Sequence, residues 1–157
     1  MSESSELALA VALGLTLIPL FWMGVVSLIA RLGGWGALAA AYAAPGSTSA
    51  PGTPCWRGQS GTLSGYMNYN GVLRVCADPR GLGLSVMVLF RPGHAPLLIP
   101  WSEIAASHAA GFFGPWVELR FARAPRVVLR IRQGLAAAVA EASGGALRIA
   151  PTGADAV

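Results

Sequence analysis

The sequence contains no lysine, and charged residues make up only 11% of its 157 residues. A soluble domain carries about a quarter charged residues, so we expect part of this chain to lie outside water. All eleven basic residues are arginine, and the net charge is +4. Together with abundant alanine, glycine and proline, this pattern is typical of a GC-rich genome. No arginine run resembles a nucleic-acid-binding arm, so we expect no nucleic-acid partner.

Cysteine and histidine are also scarce. Cys55 and Cys76 do not belong to a C-x-x-C pair, and His94 and His108 lack the spacing of metal ligands. The sequence also has no P-loop and no dinucleotide-binding glycine motif after a strand. We therefore expect neither a metal site nor a cofactor. The cysteines could pair only in an oxidising compartment, so their state depends on the membrane topology.

Charge is absent from residues 7–30, LALAVALGLTLIPLFWMGVVSLIA. About 20 apolar residues cross the roughly 30 Å hydrocarbon layer, and a spanning helix tolerates the kink at Pro19. A cleavable signal peptide would have a basic leader and a short apolar core. The leader here is acidic and the core is long, although AYAAPG resembles a cleavage site. We predict a retained transmembrane helix, with residues 1–31 forming the flank and the helix.

The orientation of this helix depends on few charges. Glu3 and Glu6 precede the helix, and Arg31 follows it directly. The positive-inside rule then predicts that the globular domain is cytoplasmic. In that orientation both cysteines would stay reduced.

Residues 32–55 predict a helical segment followed by a linker. Trp35, Leu38 and Tyr42 recur at helical spacing. They suit either a short helix at the membrane interface or a helix that packs on the following domain. Residues 45–54, PGSTSAPGTP, are rich in proline, glycine, serine and threonine, which predicts a linker.

The hydrophobic period changes to two after Trp56, which predicts strands. In residues 82–90, LGLSVMVLF, every even position is apolar, and the second half of this strand is expected to be covered on both faces. The tetrapeptide DPRG, residues 78–81, has the chemistry of a tight turn. The segment WVELRFARAPRVVLRIR predicts a hairpin. Its expected register sets Phe121 opposite Val127, Leu119 opposite Leu129 and Glu118 opposite Arg130.

The sequence pattern from Gln133 onward predicts a helix followed by a tail. QGLAAAVAEASGG, from Gln133, has helical spacing and a Gly-Gly stop. The fold class expected for residues 56–143 is therefore a mainly-β (α+β) small barrel or sandwich with a C-terminal helix. Residues 144–157 form a tail that could add a short extended piece and then fray.

With these elements in place, residues 56–143 resemble a bacterial pleckstrin-homology-like (PH-like) domain, near the GRAM-like group. The similarity lies in GLGLSVMVLF followed by PLLIPWSEI, in the VELRF and VVLRI hairpin and in the helix from Gln133. It implies that Ile99, Trp101 and Ile104 pack into the barrel. The string from YNGVLRVCADPRGL to IPWSEI also resembles uncharacterised single-pass bacterial membrane proteins. The resemblance implies a PH-like fold that lies near a membrane, and it implies no chemistry.

The stretch FRPGHAPLLIPWSEI contains three residue types of a catalytic triad, His94, Ser102 and Glu103. An extended strand between them would separate His94 from Ser102 by about 20–25 Å at about 3.3 Å per residue. No Gly-x-Ser-x-Gly elbow surrounds the serine. We expect His94 to lie on a turn in water, with no catalytic residue here; a membrane-tethered enzyme of unknown reaction is the alternative.

Two surfaces are candidates for binding. The outer face of the hairpin carries arginines that could contact anionic lipid headgroups or could form an ordinary solvated strand face. These residues are Arg120, Arg123, Arg126, Arg130 and Arg132. In GFFGPW, the side chains of Phe112, Phe113 and Trp116 either form an apolar loop tip for a protein partner or a second copy of the chain, or close one end of the core. The function expected is that of a membrane-anchored, non-catalytic binding or scaffolding domain at the bacterial inner membrane.

Overall fold

The computed structural model describes residues 2–46 and 49–151. Two helices come first, then seven strands, a third helix and a short eighth strand. The helices are α1 (Glu3–Leu32), α2 (Trp35–Tyr42) and α3 (Gln133–Ala142). The strands are β1 (Cys55–Leu63), β2 (Met67–Asp78), β3 (Gly81–Val86), β4 (Leu97–Pro100), β5 (Ile104–Gly111), β6 (Gly114–Phe121), β7 (Ala124–Arg132) and β8 (Ile149–Ala150). Single 3₁₀ turns occupy Val88–Phe90 and Trp101–Glu103.

The strands form one sheet in the order β4-β3-β2-β1-β7-β6-β5-β8. All neighbouring strands are antiparallel except β5 and β8. The expected order of apolar helix, β-rich body and C-terminal helix is confirmed. The expected closed barrel is wrong, because β4 and β8 are the two ends of an open sheet. At the β4 edge the end of α2 covers the strand: Ala43 bridges Leu97, and the amide of Ala44 donates to the carbonyl of Pro96 at 2.9 Å.

The hairpin β6–β7 has the predicted register over most of its length. Leu119 pairs with Leu129 and Glu118 with Arg130. The predicted pairing of Phe121 with Val127 is wrong, because the register shifts after Arg120 and Phe121 lies opposite Ala124. A bulge of this kind adds residues to one strand and increases its twist. Both Phe121 and Val127 nevertheless remain buried.

The strand predicted for residues 82–90 is shorter than its apolar pattern. β3 ends at Val86, and the chain then enters the 3₁₀ turn Val88–Phe90. The expectation that the second half is covered on both faces is wrong: Met87, Val88 and Leu89 are 54%, 74% and 63% exposed. The first half, residues 81–84, is the part that is buried. At Gly81 a Cβ atom would lie 2.1 Å from the carbonyl oxygen of Ile99, so only glycine fits the end of the DPRG turn.

The helix α2 lies in the core of the domain. Trp35, Leu38 and Tyr42 are at most 3% exposed. The Trp35 indole donates to the carbonyl of Ala95 at 2.9 Å, and the amide of Arg123 donates to the Tyr42 hydroxyl at 2.9 Å. Of the two alternatives that the helical spacing left open, packing on the domain is the one that the structure has.

The helix α1 is about 45 Å long at 1.5 Å per residue. It is long and apolar enough to cross a membrane. Its only buried residues are Val26 and Ala30 in its last third, where Gly93 of the β3–β4 loop packs close to the backbone of Ser27. The preceding turns expose large apolar side chains to the surroundings.

The end of the chain follows the prediction in outline. The helix α3 buries Leu135 and Val139, as its spacing predicts, and the amide of Gly145 bonds back to the carbonyl of Ala140 beyond the helix end. The extended piece of the tail is β8, while residues 152–157, where fraying was expected, lie outside the described residues.

In the linker, the amide of Ala50 donates to the buried carboxylate of Asp78 at 2.8 Å. Residues 47 and 48 lie outside the described part.

Candidate functional site

The arginines of the predicted hairpin surface are largely paired with carboxylates. Arg120 and Arg130 both bond the carboxylate of Glu118, at 3.2 and 2.6 Å. Arg123 lies in the turn, pairs with Glu103 at 2.8 Å and stacks over the ring of Tyr42. Its hydrogen bond lowers the pKa of the Glu103 carboxyl. Arg126 is exposed. This face therefore carries less unpaired positive charge than its five arginines suggest.

The aromatic loop between β5 and β6 is a free tip. Phe112 is 98% exposed and Phe113 is 76% exposed, with their rings edge to face at 5.2 Å. Trp116 is half-buried beneath the guanidinium of Arg132, which stacks on its ring at 4.4 Å. Arg132 also donates to the carbonyl of Phe113 at 2.8 Å. The structure thus groups these four residues, and the two phenylalanines do not close the core.

The prediction that His94 lies in water is wrong, because its side chain is 2% exposed. Its Nδ1 lies 3.2 Å from the carbonyl of Pro92, an acceptor only, and its Nε2 lies 3.0 Å from the Tyr69 hydroxyl. The neutral tautomer that satisfies both contacts donates from Nδ1 and accepts at Nε2. Burial lowers the pKa of His94 and raises the pKa of Tyr69 to about 12. With Trp35 at 5.1 Å, His94 joins β2, the β3–β4 loop and α2.

The residues around Ser102 take structural positions. Trp101 is half-buried against the core, and its indole donates to the carbonyl of Asp78 at 3.0 Å. Glu103 pairs with Arg123, and Ser102 is exposed. Among residues 2–46 and 49–151, no hydrogen bond joins His94 to Ser102 or Glu103.

Cys55 and Cys76 form a disulfide between β1 and β2. They are direct partners in the antiparallel ladder, and the amide of Ala77 donates to the carbonyl of Pro54 at 3.0 Å. That bond makes the cysteines a non-hydrogen-bonded pair, the type of pair in which opposite Cα atoms lie closest; here the separation is 4.1 Å. The fold itself therefore brings the two sulfur atoms together.

A cleft that the sequence patterns did not reveal lies on the outer face of β1, β2 and β3. Its volume is about 780 Å³. One wall consists of strand residues, and the other is the exposed segment that follows β3. The residues that line it are Arg57, Gly58, Gly71, Val72, Leu73, Arg74, Ser85, Val86, Met87, Val88, Leu89 and Arg91. Three of these side chains are arginines, and none is acidic.

The three arginines are electrostatically uncompensated. Arg57 and Arg91 are exposed, and Arg74 is half-buried. The Nη2 of Arg74 contacts the Sγ of Cys55 at 3.6 Å, while its buried Nε has no hydrogen-bond partner within the described part of the chain. None of the ion pairs among the described residues includes these arginines. Three guanidinium groups without a carboxylate partner make the cleft suited to an anion.

Irregular backbone opens the cleft. The register of β1 against β2 shifts on both sides of Gln59. Gly58 and Gly71 have φ values of +66° and +68°, in the left-handed region that favours glycine. Glycines within strands mark bulges and close approaches, so GQSG and YNGV were the signals in the sequence. The alternating pattern alone predicts continuous strands here and gives no cleft.

The apolar wall of the cleft contacts α1. The indole of Trp22 donates to the carbonyl of Leu89 at 3.0 Å, and its ring lies 5.7 Å from that of Phe90. The cleft therefore lies beside the C-terminal half of the long apolar helix. An anionic molecule with an apolar part would meet matching chemistry on both walls.

Comparison with protein-family models gave no match, and comparison with curated proteins gave no significant match. The geometry of the cleft and its position beside α1 are therefore the basis for a functional proposal.

Proposed function

We propose that this chain is a single-pass bacterial membrane protein whose folded domain is a non-catalytic binding module at the inner membrane. Its ligand site is the arginine cleft, and the ligand is the headgroup of an anionic phospholipid. The observation that carries the proposal is the placement of three uncompensated arginines, Arg57, Arg74 and Arg91, beside an exposed apolar segment that touches the membrane-spanning helix.

The packing of the domain supports the retention of α1, which we propose as the anchor. A signal peptidase acting at AYAAPG would remove both α1 and α2. The core would then lose Trp35, Leu38 and Tyr42, each almost fully buried. Truncating one buried tryptophan to alanine costs about 3–5 kcal/mol, so loss of the whole helix is incompatible with this core.

The electrostatics suit a lipid phosphate. An arginine near an anionic membrane surface contributes about 1 kcal/mol, and the guanidinium group donates two parallel hydrogen bonds to phosphate oxygens. Because α1 holds the domain at the membrane, the local lipid concentration is high and modest affinity suffices. The apolar wall formed by residues 87–89 would accommodate the first part of the acyl chains.

The fold supports a PH-like assignment in part. Seven consecutive antiparallel strands are followed by α3, in the order that the resemblance implies. The open sheet and the additional strand β8 are departures from a closed PH-like barrel. The exclusive use of arginine supports a bacterial, GC-rich origin.

The sequence and the disulfide favour opposite orientations. Arg31 predicts a cytoplasmic domain, whereas disulfides are rare in the cytosol and persist in oxidising compartments. We propose the oxidising side, because the Cys55–Cys76 bond joins two ladder partners within the fold, while the charge rule depends on a single residue. The headgroup proposal holds for either leaflet.

Binding of a protein partner, or of a second copy of the chain, is a second candidate function. The observation that favours it is the exposure of Phe112 and Phe113 at the tip of the β5–β6 loop. Exposed aromatic side chains of this size are typical of interaction sites.

The lipid proposal can be tested by native mass spectrometry of the full chain in detergent, with phosphatidylglycerol and phosphatidylcholine supplied at equal concentrations. The test variant replaces Arg57, Arg74 and Arg91 by glutamine. The matched control replaces Arg120, Arg126 and Arg130 by glutamine, which removes the same charge from the hairpin.

We expect phosphatidylglycerol adducts to exceed phosphatidylcholine adducts in the natural chain and in the hairpin variant, and this preference to disappear in the cleft variant. Loss of the preference only in the hairpin variant would assign lipid binding to the surface predicted from sequence. An equal loss in both variants would show non-specific attraction, and no preference in the natural chain would refute headgroup binding.

A further inference from the structure

We infer that residues 87–89 are a second membrane contact, inserted among the acyl chains of the leaflet on the domain side. This inference depends on the proposed function in one respect, namely that α1 spans the membrane. It adds that the folded domain itself enters the bilayer at a defined segment.

The segment exposes more apolar surface than a soluble turn requires. Met87, Val88 and Leu89 are consecutive and all more than half exposed. No charged residue occurs from Gly81 to Phe90, and Arg91 follows directly. An apolar tip followed by a long basic side chain is the arrangement in which the tip enters the bilayer and the arginine reaches back to the phosphates.

The position of Trp22 on α1 sets the depth of this segment. The hydrocarbon layer cannot begin before Leu7, because Glu6 is charged. From Leu7 to Trp22 the helix rises only about 23 Å at 1.5 Å per residue, which is less than the roughly 30 Å thickness of the hydrocarbon layer. Trp22 therefore lies within that layer, and tilting the helix moves it deeper. Leu89, whose carbonyl accepts the Trp22 indole at 3.0 Å, must share its depth.

The carbonyl groups of the segment have hydrogen-bond partners within the described part of the chain. The carbonyl of Met87 accepts the amide of Phe90, and that of Val88 accepts the amide of Arg91, at 2.9 and 3.2 Å. The carbonyl of Leu89 accepts the Trp22 indole. Three consecutive carbonyls thus have partners, which lowers the cost of placing this non-helical segment at membrane depth.

A single introduced cysteine can report the environment of the segment. Both natural cysteines are in the disulfide, so a thiol-reactive fluorophore labels only the new residue. Val88→Cys tests the segment, Leu15→Cys tests the middle of α1, and Ala137→Cys on the exposed face of α3 is the aqueous control. The labelled full-length chains are reconstituted in vesicles of phosphatidylglycerol and phosphatidylcholine. Quenching by acyl-brominated lipid is compared with quenching by aqueous iodide.

We expect the labels at positions 88 and 15 to be quenched by brominated lipid and protected from iodide, with the opposite result at position 137. If position 15 is quenched by lipid while position 88 behaves like position 137, insertion of the segment is refuted and the anchor stands. If position 15 is not quenched by lipid, the anchor itself is refuted.

Discussion

The imidazole of His94 and the hydroxyl of Tyr69 are hydrogen bonded at 3.0 Å in a site that is almost closed to water. Trp35 of α2 packs against both rings. The contact therefore links α2 to β2 and to the loop between β3 and β4.

Acid is expected to weaken the packing of His94 against Tyr69 and Trp35. Burial lowers the pKa of His94 in the folded protein below the value of about 6.5 in the unfolded chain. The unfolded state then binds more protons in this range, so the free energy of unfolding falls as the pH drops through and below about 6.5. Denaturation of the full chain in detergent between about pH 7.5 and about pH 5 measures the effect.

A matched variant isolates the histidine. His94→Gln keeps hydrogen-bonding groups but cannot ionise, so its stability should change less over the same pH range. Asp78 and Glu103 have lowered pKa values and lose their contribution only at more acidic pH. An identical pH dependence in the natural chain and in the variant would contradict a buried, neutral His94.

Replacing Trp35 by alanine should loosen α2. The side chain is 2% exposed and donates a hydrogen bond to Ala95, so we expect a loss of about 3–5 kcal/mol in the free energy of unfolding. Gly36→Ala, at a half-buried position on the same helix where a Cβ atom meets nothing closer than 3.8 Å, is the control. Equal stability of the two variants would show that α2 is not part of the core.

The disulfide predicts the outcome of thiol labelling on chains that are denatured directly from cells. On the oxidising side, Cys55 and Cys76 should not react with a maleimide-polymer reagent until the denatured chain has been reduced. A Cys55→Ser variant leaves one thiol and should react without reduction. Labelling of the natural chain under denaturing, non-reducing conditions would instead support the cytoplasmic orientation that Arg31 predicts.

Substitutions in the aromatic loop are predicted to change binding without changing the stability of the fold. Changing Phe112 and Phe113 to serine should leave the free energy of unfolding nearly unchanged, because both side chains are exposed. If the loop is an interface, cross-linking of the full chain to a second copy or to a partner should decrease. A large loss of stability would show that the phenylalanines belong to the core. Unchanged cross-linking would show that the loop is not an interface.

The sequence predicted those parts of the fold that periodicity and turn chemistry determine. The long apolar helix, the DPRG turn, most of the β6–β7 register and α3 are present. Periodicity could not locate the end of β3, because the apolar residues continue past Val86. An apolar run of this kind has the same composition whether it is buried in a core or lies outside it. It could not predict burial of His94 either, since that depends on Tyr69 and Trp35, which are distant in sequence.

The sequence predicted the type of residue in the candidate site, arginine, but not which arginines form it. Arginines were candidates for contact with anionic lipid headgroups, and the arginines expected in that role were the regularly spaced ones of the hairpin. Those arginines have Glu118 and Glu103 as neighbours. Arg57, Arg74 and Arg91 come from three separate segments, and the bulge at Gly58 and Gly71 brings them to one cleft.

The most direct test of headgroup binding is a solid-state NMR measurement of proximity between arginine and lipid. The full chain, with arginine labelled at the guanidinium carbon, is reconstituted in phosphatidylglycerol bilayers, and dephasing of the carbon signal by lipid phosphorus is recorded. We expect clear dephasing in the natural chain and in the Arg120, Arg126 and Arg130 glutamine variant. When Arg57, Arg74 and Arg91 are glutamine we expect a marked decrease, with the remaining signal from Arg31 at the end of α1. Undiminished dephasing in the cleft variant would contradict the assignment of the lipid site.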